Sequence, residues 1–193
     1  MTETEFKQVR TASLEPTEDE LPSEITELSP TPALVSAGPV HFYDAATPSN
    51  VPGNVFAAYY VNGFVWPAYQ IKRMYRVIAV SVRHDRGWAR VARCIDVENG
   101  AAYPSDVVPF IRARIGYGHH DATAYVNRSN WQIVHDLVRK AGLNCRYWVS
   151  TLDGTMHPVL PDGTVPWAVQ YQGGMNAPYD KSILWGRNDF LKP

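Results

Sequence analysis

Apolar residues recur at regular spacings along this chain only from about residue 40 onward. Residues 1–39 show no hydrophobic period and are rich in Glu, Thr, Ser and Pro. Such a stretch cannot bury enough apolar surface to offset its ordering entropy, so a disordered acidic tail, closed by Gly38-Pro39, is expected there. Beyond it, short runs rich in Val, Ile and aromatic residues, bounded by Gly, Pro, Asn and Ser, predict strands over 41–45, 55–61, 76–82, 91–98, 122–127, 146–151, 166–171 and 182–185. Helical spacing falls between some of them. Pro67 suits the first turn of a helix over 67–74, and Ser105 can cap one over 106–114 that Gly116 stops. The clearest helix covers 129–141, where Trp131, Val134, Leu137 and Val138 share a face and Gly142 follows.

Alternating strands and helices predict a parallel sheet, and eight short strands suggest that it closes. Only three or four helices fit between the strands, and the segment 83–90 reads as too short for a helical crossover. The expected fold is therefore α/β: a reduced TIM-like (β/α) barrel of about eight strands with few helices over residues 40–193. A small open α/β sheet is the alternative.

Chemistry concentrates at the expected strand ends. In Cys94-Ile95-Asp96-Val97-Glu98-Asn99-Gly100 an apolar run ends at a turn, and Asp96 and Glu98 stand two residues apart. On a strand they share a face, roughly 6 to 7 Å apart. Like charges on one face raise a carboxyl pKa unless paired, so such a pair points to function more readily than to structure. Asp44 ends the first strand and Asp180 precedes the last apolar run, so closure would bring both to the rim that holds Asp96 and Glu98. Tyr60, Trp66, Tyr125, Trp148 and Tyr171 fall near strand ends too, and rings beside carboxylates can form a sugar-binding cleft.

Charge changes the picture modestly. Residues 1–39 hold eight acids against Lys7 and Arg10, a net of −6, whereas the remainder holds 16 bases against 11 acids, a net of +5. A mildly basic body suits an anionic polymer such as a cell wall. His119-His120-Asp121 lacks the spacing of a zinc site, and no Gly-rich phosphate loop or G-x-S-x-G turn occurs, so neither metal nor cofactor is expected. Four rim acids could alternatively hold a divalent cation. Basic-aromatic patches such as Lys72-Arg73-Met74-Tyr75-Arg76 are too short to predict nucleic-acid binding. Cys94 and Cys145, expected roughly 10 Å apart across an intervening strand, lie beyond disulfide reach. Neither a membrane span nor a secretory leader is expected, which leaves the chain cytoplasmic at synthesis, then released by lysis or carried on a virion.

From about residue 41 to 190 the chain resembles compact actinobacterial and phage-type barrels related to the glycoside hydrolase family 25 lysozymes. The resemblance runs through Tyr43-Asp44-Ala45-Ala46-Thr47-Pro48, Tyr60-Val61-Asn62-Gly63 with Trp66, and Asp96-Val97-Glu98-Asn99-Gly100. It continues in Tyr125-Val126-Asn127-Arg128-Ser129-Asn130-Trp131, Tyr147-Trp148-Val149, Gln170-Tyr171 and Tyr179-Asp180-Lys181-Ser182. It implies a muramidase-like site acting on peptidoglycan or a related glycan, with Glu98 as general acid, Asp96 assisting, and Asp44 and Asp180 completing the rim. Tyr60, Trp66, Tyr125, Trp148, Gln170 and Tyr171 would bind substrate. The body is shorter than that family's usual barrel, and Ser182 stands where it usually carries Asn. The alternative is a non-catalytic virion structural or glycan-binding protein on the same barrel, with residues 1–39 attaching it to a virion or cell-wall partner.

Overall fold

A computed structural model describes residues 39–174 and 176–185. The acidic segment 1–38, and with it nearly all of the expected tail, lies outside the described residues. Eight strands close into one barrel in sequence order: β1 Val40–Asp44, β2 Phe56–Tyr60, β3 Arg76–Ser81, β4 Cys94–Val97, β5 Thr123–Asn127, β6 Arg146–Ser150, β7 Ala168–Gln172 and β8 Asp180–Leu184. Closure rules out the open sheet. Among the described residues four helices intervene: α1 Ala68–Ile71, α2 Arg86–Val91, α3 Val107–Gly116 and α4 Arg128–Lys140.

Two sequence expectations fail, each for a reason of chain length. The segment joining β3 to β4 is not too short for a helix. Helix α2 forms almost wholly within 83–90 and buries Trp88 and Ala89, and strand β4 begins at Cys94 rather than at residue 91. Nor is the sheet wholly parallel: β1 to β7 run in parallel, but β8 is antiparallel to both β7 and β1. Only residues 173–179 connect β7 to β8. A parallel return needs a crossover of a dozen residues or more, so the chain can only fold back.

Local signals explain the helix ends. Asn127 caps α4 through its side-chain oxygen, which accepts from the Asn130 amide. The cap expected from Ser105 is replaced by Asp106, whose carboxylate accepts from the Tyr103 amide ahead of a short 3-10 turn, Pro104–Asp106. Helix α3 runs through Gly116, and the left-handed turn falls at Gly118.

Strand alternation sorts the core into two layers. Inward-facing Phe42, Phe56, Ala58, Ile78, Val80, Cys94, Tyr125, Trp148, Trp167, Ala168 and Leu184 fill the barrel. Outward-facing Ala57, Tyr59, Ile95, Val97, Ala124, Val126 and Val149 pack with Trp88, Phe110, Ile111, Trp131, Val134 and Val138 of the helices. The aromatic plug of Phe42, Trp148 and Tyr125, with ring centroids 4.9 and 4.5 Å apart, closes the lumen beneath one mouth. Both thiols are free, Cys94 inside the barrel and Cys145 packed against the outer layer, where burial pushes its pKa up to about 12.

Candidate active site

The parallel strands all finish at one mouth, and antiparallel β8 begins there. Inward positions one pleat above the plug are therefore polar: Asp44 on β1, Tyr60 on β2, Asp96 on β4, Ser150 on β6, Gln170 on β7 and Asp180 on β8. Asp44 and Asp180 face each other directly across the β1–β8 pair, as closure of the barrel predicts. Glu98 follows β4 by one residue, and its neighbour Gly100 takes a positive φ of 93° that turns the chain away.

These groups surround a cleft of about 160 Å³ lined by Asp44, Ala46, Tyr60, Phe64, Asp96, Glu98, Asn99, Ala101 and Asp180. None of its lining residues is Lys or Arg. A larger concavity of about 380 Å³ lies at the barrel's other end, lined by Arg146, Tyr147, Trp167 and Trp185 among others, with no carboxyl among the described residues of its walls. Two of its rings already carry a neighbour, Arg146 over Trp167 and His157 on Trp185 at 3.7 Å. The smaller cleft is where reactive groups gather.

Hydrogen bonds tie the mouth together. The Tyr60 hydroxyl donates to Asp96 Oδ2 at 3.2 Å, while Asp96 Oδ1 is buried with no hydrogen-bond partner among the described residues. Gln170 stands at the centre. Its Oε1 accepts from the Tyr125 hydroxyl at 2.6 Å and from Ser150 at 3.1 Å, and its Nε2 donates to Asp180 at 3.1 Å and Asp44 at 3.4 Å. The Gly174 amide donates to the other oxygen of Asp180 at 2.8 Å. A β-bulge at Tyr171 sets Gly173 beside that carboxyl, and a Cβ on Gly173 would stand 1.8 Å from Asp180 Oδ1.

All four acids are pushed above the ordinary carboxyl range, burial being the main cause in each. The negative charge of Asp180 adds to the effect on Asp44, and that of Glu98 to the effect on Asp96. Opposing contacts come from Gln170 on Asp44 and Asp180, from Tyr60 on Asp96, and from the Tyr125 hydroxyl on Glu98. Crowding and burial of this kind favour the protonated carboxyl, the form a general acid needs.

Of the residues singled out in the sequence, Asp44, Tyr60, Asp96, Glu98 and Asp180 line the cleft, and Tyr125 and Gln170 support it from beneath. Three others lie elsewhere. Trp66 is buried in the outer layer, where its indole N–H donates to the Ala45 carbonyl and fixes the turn after β1. Trp148 is part of the plug and donates to Ser182. Tyr171 faces the barrel's outside against His41, because it follows inward Gln170 by one residue and strand side chains alternate. All three support the barrel rather than face the cleft.

Phe64, Asn99 and Ala101 line the cleft without having been anticipated, and Ser150 and Gly173 shape it. Ser150 was readable from its place two residues beyond inward Trp148. Gly173 was readable only as half of a Gly-Gly pair.

The features together define a reduced, closed barrel with carboxyls gathered at one mouth. No protein-family model matches the chain, and no curated protein matches it. Solved structures do. An uncharacterized protein of B. stearothermophilus aligns with a TM-score of 0.55 at 11% identity, over 79% of this chain and 98% of that one. A muramidase from Acremonium alcalophilum aligns with a TM-score of 0.50 at 14% identity, over 79% and 96%. A family GH25 lysozyme from Aspergillus fumigatus gives 0.49 at 10% identity, over 80% and 98%. At these identities the first two likenesses show a shared fold.

Proposed function

We propose that the protein is a muramidase-like glycoside hydrolase acting on peptidoglycan or a closely related glycan. The observation that carries this reading is the convergence of four buried or half-buried carboxyls on one small cleft that no described Lys or Arg lines. A fold pays heavily to collect like charges in this way, and glycosidic cleavage makes use of them.

In this reading Glu98, held above its ordinary pKa, protonates the departing glycosidic oxygen. Asp96, with one buried oxygen unpartnered, orients a substrate amide N–H. Ionised Asp44 and Asp180 stabilise the positive charge that develops on the sugar ring, and water completes the hydrolysis. Tyr60 and Phe64, packed edge to face with centroids 5.8 Å apart, form one wall. Glu98→Gln, which keeps the shape and removes the titrating proton, is expected to lower reducing-end release from purified cell walls by about 10²- to 10⁴-fold. Equal activity of the two proteins would end this reading.

The size of the cleft favours one other reading. It is smaller than the roughly 300 to 1,000 Å³ usual for small-molecule pockets. A barrel that binds glycan without turning it over would sediment with cell walls and release no reducing ends.

A further inference from the structure

Four acids share the cleft, yet their hydrogen bonds are distributed unevenly. Asp180 receives donors on both oxygens, from Gln170 and the Gly174 amide, and Asp44 receives the second N–H of Gln170. On the opposite side Asp96 receives only the Tyr60 hydroxyl, and its other oxygen is buried and bare among the described residues. We propose that Gln170 is a positioning residue that lets Asp44 and Asp180 both carry charge, so that the proton retained by the crowded mouth resides on the Asp96–Glu98 side.

The orientation of the Gln170 amide follows from its surroundings. Turned over, its oxygen would face two carboxyls at 3.1 and 3.4 Å with nothing to accept. As placed, two hydroxyls donate to that oxygen and both N–H groups meet carboxyl oxygens. The arrangement also commits Tyr125. Its one proton points at Gln170 and so is withheld from Glu98, whose ionised form that proton would otherwise favour. Once Glu98 has lost its proton, the Tyr125 hydroxyl can turn to it while Ser150 keeps Gln170 satisfied. The titratable groups at this mouth are Asp44 from β1, Tyr60 from β2, Asp96 and Glu98 from β4 and its end, Tyr125 from β5 and Asp180 from β8. Among the described residues no Lys, Arg or His lines the cleft. The proton's location depends on hydrogen bonding within an all-acidic set.

The inference rests on the proposed function only for its catalytic consequence, and its test needs no turnover. Side-chain carboxyl carbons of the full-length protein, followed by NMR through a pH titration, are expected to show Asp44 and Asp180 protonating at lower pH than Asp96 and Glu98. The reverse order in the wild type would overturn the proposal. Gln170→Met, which keeps length and removes the amide, is expected to raise the Asp44 and Asp180 midpoints by about one unit each. Gln170→Glu, an isostere for the case where Met is not tolerated, is expected to raise them further, because an acceptor and a charge replace a donor. Unmoved midpoints in either folded variant would also overturn it. A titration in the expected order, in a protein that releases no reducing ends from walls, would leave this inference standing and remove the proposed function.

Discussion

The two ends of the barrel treat buried charge in opposite ways. At the mouth, Asp44, Asp96, Glu98 and Asp180 crowd together and the cleft walls supply no Lys or Arg. At the base, Arg114 of α3 is almost wholly buried, yet it donates to the carbonyls of Ala89 and Ala92 and meets Asp121 at 2.5 Å, with Arg93 on the other oxygen of Asp121 at 3.4 Å. Burial works against the charge of Asp121, but the Arg114 guanidinium, with Arg93 beside it, holds that carboxyl below its ordinary range. The base arranges charge as stability requires. The mouth does not, and sites of function are where folds accept such a cost.

The sharpest way to break this comparison is at the base. Arg114→Met leaves Asp121 half-buried without its main partner and two carbonyls without donors. It is expected to cost about 3 to 5 kcal/mol in urea unfolding while wall binding by the remaining folded protein is unchanged. A loss under about 1 kcal/mol would mean that the base is no better balanced than the mouth.

A smaller effect is expected from Gly173→Ala. Its φ of 153° disfavours a side chain, and the new methyl would collide with Asp180, so a cost of about 1 to 3 kcal/mol is expected. Displacing that carboxyl should also lower wall hydrolysis by about a hundredfold. Full activity would show that Asp180 need not sit where it does.

The gentlest test uses the opposite signs of the two ends. The mouth acids have folded pKa values raised above their unfolded values near 4. The stability linked to their protonation is complete below about pH 4 and is lost as pH climbs through the raised values. Asp121 does the reverse: its contribution is complete above about pH 4 and is lost as pH falls through its depressed value. Urea unfolding followed by Trp fluorescence is therefore expected to show stability rising on acidification from pH 7 to about 5. Asp96→Asn should flatten that slope and add about 1 kcal/mol at pH 7. An unchanged slope would place the raised protonation elsewhere.

Much of the barrel was legible because period and punctuation agree. Trp131, Val134 and Val138 gave α4 to within a residue or so, and Gly142, at φ 65°, ended it as expected. Alternation around Asp96 and Glu98 gave β4 and its inward face. What stayed hidden depended on length and curvature. A six-residue helix gives too little period to stand out from the strand beside it, so α2 was read as loop. The direction of β8 is set by how few residues precede it, which local pattern does not weigh. In the site, the carboxyls were readable because their chemistry is rare at strand ends. Tyr171 was misplaced because it was set on one face with adjacent Gln170, whereas consecutive strand residues take opposite faces.

Because β8 runs back, Val40 pairs with Leu184, and both ends of the described chain leave the barrel on the side away from the cleft. Had the last strand run with the others, the chain would leave beside Asp44. As built, the points at which the rest of the chain joins the barrel lie at the end opposite the carboxyl-lined opening, and neither crowds it.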